Sequence, residues 1–357
     1  VNLEILNPKY FLLGEGVQTR VEIADFENWR KAAKEAAKEL DTGGIVAVPT
    51  ETVYGLAADA FNAEAVAKVF EAKERPTFDP LIVHLARFGE LDRVAEVPEE
   101  ISEVVREIAT KFWPGPLTMV LPKTAAVPDI VTSGLSTVAV RISKHEVMRT
   151  IAKELGRPLA APSANRFGRV SPTSASAVLS ELEGRIPLII DGGACSAGLE
   201  STIITIEQGE KRPLIRILRP GPVTKEELRE FGRVGKAKRD RSQPEAPGTL
   251  DSHYAPSIPL LLFKKPEDFV PEEGKKYALL SYRGATRDGY VDRHEWAKIE
   301  ILSPGNGKLA EAAVRFFYAL RAVDIEEIDA IVAEPVSDVG IGSAIMDRLR
   351  RASADRS

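Results

Sequence analysis

From residue 28 onward this 357-residue chain alternates short apolar runs with amphipathic helical stretches, a pattern that restricts it to an α/β architecture. Residues 28–40, rich in Ala, Glu and Lys, predict a helix that Gly43-Gly44 stops. After it come a strand over 45–48, a helix over 63–73, a strand over 81–85 and a helix over 99–112. Strands over 117–121, 137–142 and 158–161, a helix over 146–155, and strands over 188–190, 201–206 and 215–218 complete a sheet-rich unit. The stretch before residue 20 has no such periodicity and reads as an irregular lead-in.

After Gly221 the character changes. A short helix over 225–231 leads into Lys236-Ala237-Lys238-Arg239-Asp240-Arg241, then Pro244, Pro247 and Gly248, a stretch with the composition of a linker. Its basic run is either a solvated linker segment or a contact for RNA. Strands over 260–263, 277–281, 299–302 and 330–332, with a helix over 309–323 and a last helix opened by Gly340-Ile341-Gly342, predict a second, small open α/β sheet. The length suits two domains, so the expected division is 1–221, a linker over 222–256, and a smaller C-terminal domain over 257–357.

Composition narrows the chemistry. The chain is 44% hydrophobic and 28% charged, enough to bury a core, and no apolar run nears the ~18 residues of a membrane-spanning helix. Residues 1–20 lack a basic-then-apolar leader, so no membrane partner and a cytoplasmic location are expected. A net charge of −5 argues against a protein that merely coats nucleic acid, while leaving room for a local basic groove. The single cysteine, Cys195, excludes an internal disulfide, and His84, His145, His253 and His294 are not spaced as zinc ligands. The Gly-x-x-x-x-Gly-Lys-Ser/Thr phosphate loop, the Gly-x-Gly-x-x-Gly fingerprint and the Gly-x-Ser-x-Gly elbow are all missing. Any ATP site must be built another way.

Five clusters carry the polar chemistry. Pro49-Thr50-Glu51-Thr52-Val53-Tyr54-Gly55-Leu56 follows a buried strand and either lines a ligand crevice or forms a plain turn. In Lys73-Glu74-Arg75-Pro76, the proline forces Arg75 out of helical geometry. Both cations then either converge on one anion or remain a solvated helix end. Asp79-Pro80 leads into the strand that carries His84 at its far end. Strand alternation puts Val138, Val140 and Ile142 on a core face and Thr137, Ala139 and Arg141 on the other, where Arg141 meets either a ligand carboxylate or an acidic side chain. In Ala161-Pro162-Ser163-Ala164-Asn165, Ser163 and Asn165 point the same way, and Ser171-Pro172-Thr173 marks a helix start. Gly192-Gly193 and Gly198 allow close backbone approach before Glu200-Ser201-Thr202, and Cys195 between them has no base partner.

Taken in order, these clusters resemble the YrdC-like domain of L-threonylcarbamoyladenylate synthases. The Lys73-x-Arg75 and Ser163-x-Asn165 pairs carry the resemblance, with Trp113-Pro114-Gly115-Pro116-Leu117-Thr118 and Leu218-Arg219-Pro220-Gly221 in support. His253-Tyr254-Ala255-Pro256 and Gly342-Ser343-Ala344-Ile345-Met346-Asp347-Arg348-Leu349 extend it to the long, two-domain form. The resemblance implies a YrdC-like twisted mixed sheet with flanking helices, plus a smaller C-terminal open, Rossmann-like α/β domain. It implies that L-threonine, bicarbonate and ATP are condensed to L-threonylcarbamoyl-AMP with release of pyrophosphate, for a downstream tRNA threonylcarbamoyl transferase complex. Carried over by motif, Thr52, His84, Arg141, Ala161 and Ser201 would hold threonine. Lys73, Arg75, Asp79, Thr137, Ser163, Asn165, Ser171, Arg219 and Tyr254 would surround ATP, with Lys73 and Arg75 catalytic. Mg²⁺ would be held mainly by the ATP phosphates, with no metal ligands from the protein. Asp79 departs from the asparagine expected beside a nucleotide, and the stretch before His253 is less basic than usual in the family. The competing reading is a double-stranded RNA or tRNA binding module without adenylation activity.

Overall fold

A computed structural model of the chain describes residues 17–236, 246–248, 253–284 and 289–354. Its first unit holds the strands β1 (Arg20–Ile23), β2 (Val46–Val48), β3 (Gly55–Asp59), β4 (Ile82–His84), β5 (Leu117–Pro122) and β6 (Thr137–Arg141). To these it adds β7 (Leu159–Ala160), β8 (Leu188–Asp191), β9 (Thr202–Glu207), β10 (Leu214–Arg219) and β11 (Arg233–Lys236). They form one mixed sheet in the order β1-β8-β2-β3-β7-β4-β6-β5-β9-β10-β11. Its helices are α1 (Trp29–Asp41), α2 (Ala63–Lys73), α3 (Glu99–Phe112), α4 (Asp129–Thr132), α5 (Glu146–Leu155), α6 (Ala175–Leu182) and α7 (Lys225–Leu228). The twisted mixed sheet with flanking helices is the expected class.

Helices cover the two faces unequally, and that inequality makes room for a site. Ala47 turns to a core with α2, α3 and α6, whereas Val46 and Val48 turn to a second core under α1 and α5. The period-2 alternation of β6 is likewise observed: Val138 and Val140 enter the first core. On the opposite face Ala139 joins Ile82, Val120 and Ile203, an apolar floor covered by Ala246 and not by a helix.

Three details differ from the sequence expectation. Residues 20–23, between the expected lead-in and the first expected helix, lie in β1, an edge strand parallel to β8. Gly55–Asp59 is a strand, β3, antiparallel to β2, so Thr50–Val53 is the turn of a hairpin. Within the segment expected as a linker, residues 233–236 form β11, parallel to β10, and thus belong to the large sheet. The helix start signalled at Ser171-Pro172-Thr173 falls at Ser174, whose side chain caps α6 at Ala177 N. Residues 1–16, and Ala237 to Arg241 with Pro244, lie outside the described residues, and with them most of the basic run.

The second unit is a parallel sheet of β12 (Leu260–Leu262), β13 (Tyr277–Ser281), β14 (Lys298–Ile301) and β15 (Ala330–Ala333), in the order β12-β15-β13-β14. The helices α8 (Leu309–Val323) and α9 (Gly342–Ala352) pack against it. Its core does not stop at its own boundary, because Val53, Val170 and Leu199 of the first unit join Tyr254, Phe317 and Leu320 in one cluster. Among the described residues, no helix is long and apolar enough to cross a membrane.

Candidate functional site

The pocket opens where the floor of the large sheet meets the segment around Tyr254. Of the residues the resemblance implied, Thr52, Arg75, His84, Arg141, Ala161, Ser163, Ser201, Arg219 and Tyr254 line it together. These come from eight separate stretches of chain, which is what a site built on strand ends requires.

At one end β6 delivers Arg141. Its Nη1 donates to Thr52 Oγ1 at 2.9 Å, its Nε to Gly115 O at 3.1 Å, and Nη2 lies 2.7 Å from Glu51 Oε1. Of the two alternatives left open for Arg141, the structure shows the acidic partner, Glu51, while the guanidinium also lines the pocket. Thr50 Oγ1 and Thr52 Oγ1 are 2.9 Å apart, and the Thr50 hydroxyl also accepts from Val53 N, which sets the hairpin turn. Burial opposes the charge on Glu51, yet Arg141 and the Ser143 hydroxyl override it and hold the carboxyl at about 2. His84, at the end of β4, is pushed to about 3 by burial first and by Arg141 second, so its ring is neutral at physiological pH.

At the other end stand Arg75 and Arg219. Glu74 takes a left-handed conformation (φ 53°) that ends α2 between Lys73 and Arg75, and the two side chains meet different carbonyls. Arg75 donates to Asp79 O and Pro80 O and pairs with Asp79 at 2.9 Å. The partner cation that a carboxylate at position 79 needs is thus supplied from within the same loop. Lys73 does not reach the pocket. Its ammonium is buried against the carbonyls of Ser163 and Asn165, where burial, then Arg75, drives its pKa well below the usual value. Arg219, at the end of β10, donates to Ser201 O at 3.0 Å and to Pro247 O at 3.1 Å. Ser201 also shares a 2.8 Å hydroxyl bond with Thr118.

Four implied nucleotide residues besides Lys73 do not line the pocket: Asp79, Thr137, Asn165 and Ser171. Asn165 donates to Arg166 O and Arg169 O, and Ser171 donates to Glu200. Both hold the loop rather than the space. Thr137 starts β6 at the end away from Arg141, opposite Pro122. The lining residues Glu200 and Gly248 were in no implied set, and Glu51, also outside it, acts from behind Arg141. Gly248 has φ 68°, and a Cβ there would fall 2.3 Å from the Tyr254 hydroxyl, so the motif signal was a glycine among prolines. Cys195 is buried with its thiol pushed up to about 12, consistent with an incidental role.

The unit around Tyr254 closes the pocket. His253 and Tyr254 are buried, Tyr254 at φ 64°, and Ala255 N donates to Gly168 O at 2.8 Å. Buried polar atoms without a hydrogen-bond partner gather here: His84 Nδ1, Asn165 Oδ1 and His253 Nδ1. Such atoms are costly unless something polar meets them. Arginines at both ends and an apolar floor between define an α/β protein with a pocket suited to small anionic ligands.

Comparison with known proteins gives that class its family. Residues 38–221 match the Sua5/YciO/YrdC family, described as Telomere recombination, and residues 223–354 match the family described as Threonylcarbamoyl-AMP synthase, C-terminal domain. A Threonylcarbamoyl-AMP synthase of Pyrococcus abyssi is 40% identical over 338 residues, covering 92% of this chain and 96% of that protein. One from Bacillus subtilis is 39% identical over 333 residues, covering 90% and 93%. The crystal structure of P. abyssi Sua5 complexed with L-threonine superposes with a TM-score of 0.80 at 39% identity, over 94% of this chain and 97% of that one. The chain belongs to the two-domain Sua5/YciO/YrdC family of threonylcarbamoyl-AMP synthases.

Proposed function

We infer that the chain is a nucleotidyltransferase that converts L-threonine, bicarbonate and ATP into L-threonylcarbamoyl-AMP and pyrophosphate, the activated donor for threonylcarbamoyladenosine in tRNA. One observation carries this: a carboxylate-sized end at Arg141, Thr52 and His84 and a cationic end at Arg75 and Arg219 share one pocket, with Ser163 and Ala161 between. A protein that binds RNA by shape needs a basic surface, not this enclosed pair of ends.

The chemistry asks little covalent work of the protein. The threonine amine and bicarbonate give a carbamate and water, and the carbamate oxygen then bonds to the α-phosphorus as the bond to the β-phosphate oxygen breaks and pyrophosphate leaves. Two anions must approach, so positioning and charge stabilisation dominate. Arg141, its plane fixed by Glu51, Thr52 and Gly115 O, would take the threonine carboxylate in the two-pronged way guanidinium favours. Neutral His84 adds a polar contact without adding a charge. Arg75 and Arg219 would face the phosphates. Lys73 would act one step back, by fixing the carbonyls of Ser163 and Asn165 and adding to the positive field.

Among the described residues, no three His, Cys, Asp or Glu side chains are grouped as a metal cage, and Glu51, Asp79 and Glu200 are each paired with an arginine. That donor set fits Mg²⁺ carried on the nucleotide, where it would screen phosphate charge. The threonylcarbamoyl transferase complex that uses the product, a contact with tRNA, and a cytoplasmic setting belong to the same proposal.

The test is pyrophosphate release, with mass-spectrometric detection of threonylcarbamoyl-AMP and each substrate omitted in turn. Release should require threonine and bicarbonate together, and Arg75→Ala should lower it about tenfold or more, since a charge-assisted contact contributes roughly 1.5–3 kcal/mol. Pyrophosphate released without threonine would count against the reaction.

A further inference from the structure

The strongest connection between the pocket and the small domain is a single side chain. Arg348, in the last turns of α9, has no exposure to solvent although it carries a full charge. Its Nε donates to Glu200 Oε2 at 3.0 Å and its Nη1 to Pro220 O at 2.9 Å. The guanidinium carbon lies 5.1 Å from the centre of the Tyr254 ring. Each of these three contacts adjoins the lining: Glu200 lines it and precedes Ser201, Pro220 follows Arg219, and Tyr254 lines it. Behind Glu200, the Ser171 hydroxyl donates to its other oxygen. Gly198 marks a second contact of the same loop with the small domain. At φ 70° it lies so close to α8 that a Cβ would meet Val314 Cα at 2.4 Å.

We propose that Arg348 is a positioning residue for the nucleotide end of the pocket, fixing the Glu200 carboxylate, the strand end at Arg219-Pro220 and the Tyr254 ring from the far side of the domain boundary. The geometry favours this over a role as a simple staple. Asp347 of the same helix pairs with Arg348 and Arg351 at 2.9 and 3.0 Å and so fixes the guanidinium of Arg348, whose other contacts all go to groups in or beside the pocket lining. A planar fork suits the task, because one guanidinium can hold a carboxylate and a carbonyl edge-on and offer its face to an aromatic ring. Lysine has no such plane. Arg348 touches none of the five residues assigned to threonine, Thr52, His84, Arg141, Ala161 and Ser201, and three of these, Thr52, His84 and Arg141, stand at the other end of the pocket. Loss of Arg348 should therefore separate the two substrates.

This rests on the assignment of ATP to the Arg75–Arg219 end, so the wild-type protein must first release pyrophosphate in a threonine-dependent way. Given that, Arg348→Lys and Arg348→Met are compared with wild type by calorimetric titration with an unreactive ATP analogue and, separately, with threonine. Thermal unfolding is followed for each. For Arg348→Lys, which keeps a charge beside Glu200, the nucleotide Kd should rise at least threefold while the threonine Kd stays within twofold. For Arg348→Met, if folded, the nucleotide Kd should rise about tenfold with the same separation. Equal weakening of both ligands, or full recovery of nucleotide binding by lysine, would overturn the proposal. Wild-type protein inactive with threonine, bicarbonate and ATP would instead remove the reaction on which it rests.

Discussion

Glu51 and Arg141 show how one residue pair can stabilise the fold and set up the site at once. Their side chains are 7% and 4% exposed, so breaking the pair strands a charge where water cannot reach it. The Glu51 carboxyl titrates at about 2 in the folded chain against 4.5 as an ordinary group. A depressed carboxyl contributes stability that is present above its unfolded pKa and is lost as pH falls through the folded one. The window therefore runs from about pH 4.5 down to 2, and the contribution is roughly 3 kcal/mol by linkage. Urea titrations between pH 2 and 7 should show this loss in wild type. In Glu51→Gln, the slope over that window should be shallower and the stability at pH 7 lower. Sequence alone located Arg141 by strand alternation but could not choose between ligand and carboxylate, because Glu51 is 90 residues away and meets it only through the sheet. Lys73 shows the converse ambiguity. A Lys-x-Arg pair looks alike from the sequence whether both cations face a ligand or one turns to backbone carbonyls, as Lys73 does.

At the scale of an element, the end of α2 decides that difference. Lys73 is the last helical residue, Glu74 takes φ 53°, and Arg75 N donates to Phe70 O at 2.9 Å. This left-handed cap is one that glycine adopts freely and other residues pay for, by roughly 1–2 kcal/mol. Glu74 recovers part of that through its ion pair with Arg185, which is exposed and so contributes little. Replacing Glu74 by glycine should leave the unfolding midpoint unchanged or raise it, whereas Glu74→Val should lower stability by about 1–2 kcal/mol and reduce pyrophosphate release by tilting Arg75. Elements with a full periodic pattern, such as α3, α5 and α8, were legible in the sequence almost to the residue. β1 and β3 were not. Gly55-Leu56-Ala57-Ala58-Asp59 lacks β-branched residues and is a strand because β2 and β7 flank it, a tertiary cause that local propensity does not contain.

For the whole molecule, the question is whether two sheets make two folding units. Multidomain chains commonly unfold in more than one step, because interdomain contacts are thin and polar. Here the boundary is neither. Val53, Val170 and Leu199 share an apolar cluster with the small domain, and Tyr254 packs on Phe317 at 5.7 Å between ring centres. Around that cluster Arg321 donates to Val170 O and pairs with Glu181 at 3.0 Å, and Arg348 pairs with Glu200. Separating the domains would expose this cluster and strand the Glu200 carboxylate, so partial unfolding should cost nearly as much as complete unfolding. Calorimetry should accordingly show one main transition. Phe317 is the residue through which to test this, because it is fully buried and belongs to the small domain while touching the ring that closes the pocket. Phe317→Ala should remove about 3–5 kcal/mol. If the domains are one cooperative unit, the whole transition moves down in temperature together, and nucleotide binding weakens with it as Tyr254 loses its support. If they are not, a small early transition splits away while the large sheet melts where it did before, which would refute a shared core.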